Sequence, residues 1–94
     1  TDTSRRDQFV AAADKDIAKG KAAIASLEKK SGAAAADAKA RIDVDITAMQ
    51  LELKSVEAKL AEMRQANAMR WKEFEADVSA ATARLRKSVE KATG

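Results

Sequence analysis

The sequence predicts an all-α fold on three observations. Ala occupies 23 of the 94 positions and charged residues make up 35%, a composition typical of long helices and coiled coils. With no Pro and three Gly, the chain lacks the residues that tight turns between strands require. Its apolar residues recur at alternating steps of three and four, the spacing of a heptad repeat. The predicted architecture is an antiparallel coiled-coil helical hairpin with a long second helix, forming one domain over residues 1–94.

The first helix is predicted over residues 5–31. A seam of small and apolar residues runs along it from Val10 to Leu27. Gly20 lies on this seam, although Gly in a helix interior costs about 1 kcal/mol relative to Ala. We therefore expect a neighbouring helix or a large side chain to approach Gly20 closely, with a hinge as the alternative. A turn is predicted over residues 31–34, where a glycine can end the helix.

The second helix is predicted over residues 35–92. Its seam runs from Ile42 to Met63 in steps of four and three, and then stutters through Asn67 to Trp71, which locally unwinds a coiled coil. No Gly or Pro interrupts the stutter, so a continuous helix of about 90 Å is expected. A break near Asn67, which can cap a new helix, is the alternative and would give a three-helix bundle.

A continuous second helix would leave its C-terminal half without a partner in the chain. Burying one large apolar side chain contributes about 1.5–3 kcal/mol, so several of them in a row favour association. We therefore expect a homo-oligomer, most simply a dimer. The predicted contact residues are Trp71, Phe74, Val78, Leu85 and Val89.

A second apolar face is predicted on the same helix. Val44, Leu51 and Ala58 recur every seven residues, on the side opposite the seam that faces the first helix. A two-helix hairpin would leave these side chains in water. Val44 and Leu51 are therefore predicted to contact an oligomer subunit or a protein partner.

Basic residues cluster near the C-terminus of a chain whose formal net charge is +3. They are Arg84, Arg86, Lys87 and Lys91. Basic residues on a helix that also carries Trp71 and Phe74 are typical of amphipathic helices that bind lipid surfaces. A lipid or granule surface is therefore the alternative partner. Nucleic acid is disfavoured, because its recognition motifs are absent and stacking aromatics are nearly so.

Enzymatic function is disfavoured by composition. Without Cys or His, the chain cannot form a Ser-His-Asp or Cys-His catalytic site or a zinc finger. Glu73 and Asp77 share a helix face, but Ca²⁺ and Mg²⁺ require about six oxygens. We therefore expect no cofactor and no metal. The sequence has no apolar run of about 18 residues that could span a bilayer and no signal-peptide core. A cytoplasmic location is expected, with a mature periplasmic form left open.

Four segments resemble a family of small bacterial coiled-coil proteins that are linked to stress responses. They are residues 6–10 (RDQFV), 36–39 (ADAK), 56–63 (VEAKLAEM) and 71–75 (WKEFE). Members of that family typically have Leu where this chain has Phe74, and a second Trp that this chain lacks. The resemblance implies a non-enzymatic, stress-associated protein and transfers no functional residues. We therefore expect a structural or interaction protein that acts through self-association and helix-face contacts.

Overall fold

The computed structural model describes residues 2–66 and 70–93, with side chains from residue 4 onward. Within these residues it has three helices and no strand, which confirms the all-α prediction. They are α1 (Asp2–Ala33), α2 (Ala36–Gln65) and α3 (Lys72–Thr93). The first helix extends beyond its predicted limits of 5 and 31, and the turn lies at residues 34–35 rather than 31–34. Gly32 therefore lies inside α1 instead of ending it.

The helices run up, down and up. α1 and α2 are antiparallel, because Ser31 contacts Asp43 beside the turn while Asp14 contacts Arg64 at the opposite end. α3 returns alongside both, and each of the three helices contacts the other two. The molecule measures 52 × 19 × 16 Å, so its long axis is close to the length of about 48 Å expected for α1 alone. This packing is consistent with a bundle.

The segment predicted as one helix over residues 35–92 forms two helices. α2 ends at Gln65, and Ala66 has an extended backbone with φ −71° and ψ 147°. α3 begins at Lys72. An unbroken helix over this segment would be about 87 Å long, which exceeds the 52 Å long axis. The alternative break near Asn67 falls in this connection, although Asn67 itself lies outside the described residues.

Burial of Trp71 and of the apolar side chains of α3 explains the interruption. Trp71, Val78 and Leu85 have exposed fractions of 3%, 0% and 1%, because α3 folds back against α1 and α2. Each such burial contributes about 1.5–3 kcal/mol, which outweighs the good helix propensity of the connecting residues. The core also takes in the two predicted seams, with Ala13, Ile17, Ile24 and Leu27 from α1 and Ile46, Met49, Leu53, Val56, Leu60 and Met63 from α2.

Gly20 lies at the contact between α1 and α3. A Cβ atom added at Gly20 would lie 3.2 Å from both Cδ1 and Cδ2 of Leu85, which is closer than the usual contact of about 3.5–4.0 Å between carbon atoms. The expected close approach of a large side chain is therefore confirmed. Gly at this position lets the side chain of α3 sit against the backbone of α1.

Candidate interaction surface

One face of α2 points away from α1 and α3, because the opposite face carries the core seam. Val44 and Leu51 are 67% and 64% exposed, and they are the exposed large hydrophobic residues of the described part of the chain. Ala58, seven residues beyond Leu51, is also exposed. We define the outer face of α2 as Ala40, Val44, Thr47, Ala48, Leu51 and Ala58, all of which are exposed.

Charged residues without ion-pair partners in the described structure lie along the edge of this face. Arg41 and Glu62 are exposed, and Asp45 and Lys59 are half-buried. Their side chains form no hydrogen bond or ion pair within residues 4–66 and 70–93. Periodicity along the chain does not single out these four residues. The signal that could have found them is their position beside the heptad-spaced Val44, Leu51 and Ala58.

The N-terminal end of the outer face is fixed to α1 through Asp43. Lys39 Nζ donates to Asp43 Oδ2 over 2.7 Å, and Ser31 Oγ donates to Asp43 Oδ1 over 2.6 Å. These hydrogen bonds, with that from Lys39 as the larger cause, lower the pKa of Asp43 below the ordinary aspartate value because they favour the charged carboxylate. Ser31 is itself buried, so this contact holds α2 in register with α1.

The C-terminal residues predicted to mediate association are covered within the chain. Trp71, Val78 and Leu85 are buried, and Phe74 and Val89 are half-buried against the same core. The structure therefore brings all five together, but in the interior of the fold. A continuous second helix would have left these residues without a partner in the same chain, but in the structure they pack against the chain's own core.

Trp71 also shapes a cleft at one end of the molecule. Its ring packs against Phe9 with centroids 6.0 Å apart and planes tilted by 43°. The indole Nε1 is buried, and no residue in the described part of the chain accepts a hydrogen bond from it. The adjacent cleft has a volume of about 380 Å³ and is lined by Arg5, Gln8, Phe9, Trp71, Lys72 and Glu75. The heptad pattern does not predict this cleft, because Phe9 stands one position before the α1 seam.

Two of the four predicted basic residues are neutralised by acidic partners on different helices. Arg84 Nε lies 3.2 Å from Glu52 Oε2 on α2, and Arg86 Nε lies 3.7 Å from Asp16 Oδ2 on α1. Lys87 and Lys91 are exposed. Arg84, Lys87 and Lys91 stand at i, i+3 and i+7 on one side of α3, whereas Arg86 lies on the side that faces Asp16 of α1.

Over the described ranges, no three acidic, His or Cys side chains converge in a way that could hold a metal ion. Of the helices described, none combines the length and the apolar character needed to cross a bilayer. Comparisons with protein-family models, with curated proteins and with solved structures found no match to this chain.

Proposed function

We propose that this protein is a non-enzymatic structural or interaction protein, and that the outer face of α2 is its contact surface. The observation that supports the proposal is the exposure of Val44 and Leu51, at 67% and 64%, on a helix whose other large apolar residues are buried or half-buried. Covering one such side chain contributes about 1.5–3 kcal/mol. A partner that covers both would gain a substantial part of the binding free energy of a weak complex.

The proposed architecture is a three-helix bundle of α1, α2 and α3 in which the core is completed within one chain. Burial of Trp71, Val78 and Leu85 supports it. Self-association through the C-terminal half would require α3 to leave the core, so we propose that any homodimer uses the outer face of α2 instead. The sequence resemblance of residues 56–63 and 71–75 supports a stress-associated setting, and we propose a cytoplasmic location.

Lipid- or granule-surface binding is the alternative, and it requires Trp71 and Phe74 at an accessible face. Trp71 is only 3% exposed and Phe74 packs against the core. Arg84 and Arg86, which would contact an anionic surface, pair with Glu52 and Asp16. These contacts favour helix-face interaction with protein over insertion into lipid.

The experiment compares two lysine substitutions on exposed positions. Leu51→Lys places a charge in the outer face of α2, and Ala80→Lys adds the same charge on exposed α3. Because both positions are exposed, we expect the free energy of unfolding of each variant to differ from that of the parent chain by less than about 0.5 kcal/mol. In a quantitative affinity purification, Leu51→Lys should lose the proteins that the parent chain and Ala80→Lys retain. Equal retention by all three would rule out the outer face as the contact surface.

A further inference from the structure

We infer that the outer face of α2 binds the same face of a second copy of this chain, antiparallel, with a two-fold axis at Leu51. The inference rests on the proposed function and identifies the partner. Val44 and Ala58 each lie seven residues from Leu51, or about 10.5 Å along the helix axis. An antiparallel pair therefore brings Leu51 against Leu51 of the second copy and Val44 against Ala58 of the second copy, twice by symmetry.

The sizes of these side chains favour the antiparallel orientation over the parallel one. In the antiparallel pair, each end of the contact joins one larger side chain, Val44, to one smaller one, Ala58. The helix axes can then keep one separation along the whole contact, since interaxial distance follows the side chains between them. A parallel pair would join Val44 to Val44 at one end and Ala58 to Ala58 at the other, so its helices would splay.

The charges at the edge of the face are complementary in the same arrangement. Arg41 lies ten residues before Leu51 and Glu62 eleven residues after it, so in an antiparallel pair they differ by about 1.5 Å along the axis. At about 100° per residue, Arg41 lies about 80° and Glu62 about 20° round the helix from Leu51, to the same side. Arg41 of each copy therefore meets Glu62 of the other. In a parallel pair the same two side chains would be about 31 Å apart.

A second pair of opposite charges lies on the same side of Leu51 but farther round the helix. Lys59 lies eight residues after Leu51 and Asp45 six residues before it, about 80° and 120° from it at 100° per residue, so this pair stands at the margin of the contact. None of the four is paired within the described residues. Of the other charged side chains of α2, Lys39 and Arg64 pair with Asp43 and Asp14 at 2.7 Å each, and exposed Asp37, Lys54 and Glu57 have no ion pair among the described residues.

The extent of the face predicts a weak dimer. From Ala40 to Glu62 it is about 33 Å long, and one helix is about 10 Å wide. The contact is therefore smaller than the roughly 800 Å² per partner of a standard protein interface. Association should depend strongly on concentration, and the exposed pair of Arg41 and Glu62 should affect orientation and specificity more than affinity.

Single cysteines test the orientation directly, because the chain has none of its own. Under mild oxidation, Leu51→Cys should form a disulfide-linked dimer. A mixture of Val44→Cys and Ala58→Cys chains should cross-link with each other faster than either does alone. The opposite result, in which Val44→Cys chains link to themselves faster than to Ala58→Cys chains, would overturn the antiparallel arrangement.

Charge reversal tests the edge contacts by sedimentation equilibrium of the full chain. Arg41→Glu and Glu62→Arg should each weaken dimerisation about threefold to tenfold, since each disturbs two symmetric ion pairs at the rim. The double variant should restore the parent affinity within about twofold, because the charges then match again. Lys87→Glu, which reverses an exposed charge on α3, should leave the dimerisation affinity unchanged. Failure of the double variant to recover would refute the pairing.

The same measurements separate this inference from the proposed function. If the chain stays monomeric up to about 1 mM while Leu51→Lys still loses its retained proteins, the second copy is not the partner but the outer face is still the contact surface. If Leu51→Lys changes neither dimerisation nor retention, both proposals are wrong. Dimerisation of the parent chain and of Ala80→Lys, together with its loss in Leu51→Lys, supports both.

Discussion

The contact of Gly20 with Leu85 allows a quantitative test of how α3 packs on α1. The perturbation is Gly20→Ala, made once in the parent chain and once in a Leu85→Ala background. The added Cβ would lie 3.2 Å from both δ carbons of Leu85, a side chain that is only 1% exposed. In the Leu85→Ala background those δ carbons are gone. The Cβ added by Gly20→Ala therefore conflicts with Leu85 in the parent chain, whereas in the Leu85→Ala background it does not.

The magnitudes follow from helix propensity and packing. Ala is favoured over Gly in a helix interior by about 1 kcal/mol, whereas overpacking a core contact costs about 1–3 kcal/mol. In the parent chain, Gly20→Ala should therefore leave stability unchanged or lower it by up to about 2 kcal/mol. Leu85→Ala by itself should cost about 2–5 kcal/mol. In that background, Gly20→Ala should raise stability by about 1 kcal/mol, which gives a coupling energy of about 1–3 kcal/mol.

The assay is urea unfolding of the four chains, followed by far-UV circular dichroism and by Trp71 fluorescence. Coincident transitions establish two-state behaviour and permit the comparison of free energies. Leu85→Val, which also lacks both δ carbons, is a milder second background. If Gly20→Ala changes the free energy of unfolding equally in all backgrounds, to within about 0.5 kcal/mol, the two residues are not in contact and the packing of α3 on α1 is refuted.

Three further predictions follow from individual contacts. The hydrogen bonds of Asp43 lower its pKa, so the stability that Asp43 contributes is present at neutral pH and is lost as the pH falls through its native pKa. The Asp43→Asn variant should therefore lose less unfolding free energy than the parent chain as the pH is lowered. Buried Trp71 should emit at short wavelength, resist acrylamide quenching and keep its spectrum when anionic vesicles are added, whereas a shift would favour the lipid alternative. Arg64→Ala removes a half-exposed ion pair with Asp14 and should cost at most about 1 kcal/mol, with a smaller loss at high salt. Lys54→Ala removes an exposed cation of α2 that has no ion pair among the described residues and should cause no comparable loss.

The seams of α1 and α2 were predictable because they follow a periodicity that can be read along each helix by itself. From Val10 to Leu27 and from Ile42 to Met63, the residues at heptad spacing are buried or half-buried as the pattern predicts. Gly20 was also interpretable, since a helix tolerates an interior glycine chiefly where something packs closely against it. The local pattern could not identify Leu85 as the side chain that packs against Gly20, because the two residues are 65 positions apart in the sequence.

The candidate surface was predictable in part for the same reason. The seven-residue spacing of Val44, Leu51 and Ala58 identified a face opposite the core, and the structure exposes it. The four charged residues at its edge could not be predicted, because the sequence does not show which charged side chains find a partner on another helix. Arg41 and Glu62 differ from Arg64 in that Arg64 of α2 contacts Asp14 of α1, a contact between distant residues that spacing along one helix does not reveal.

The sequence alone determined that this chain is helical, which residues form the seams of α1 and α2, and that catalytic His or Cys chemistry is absent. These are local properties, set by composition and by periodicity along one helix. The tertiary structure decided where the long apolar segment divides and what covers its C-terminal half. Good helix formers fill the connection before Trp71, yet the free energy gained by burying Trp71, Val78 and Leu85 against α1 and α2 exceeds the local preference for a continuous helix. Packing of α3 against α1 and α2 buries the C-terminal apolar residues, and it leaves Val44 and Leu51 on the outer face of α2 exposed to solvent.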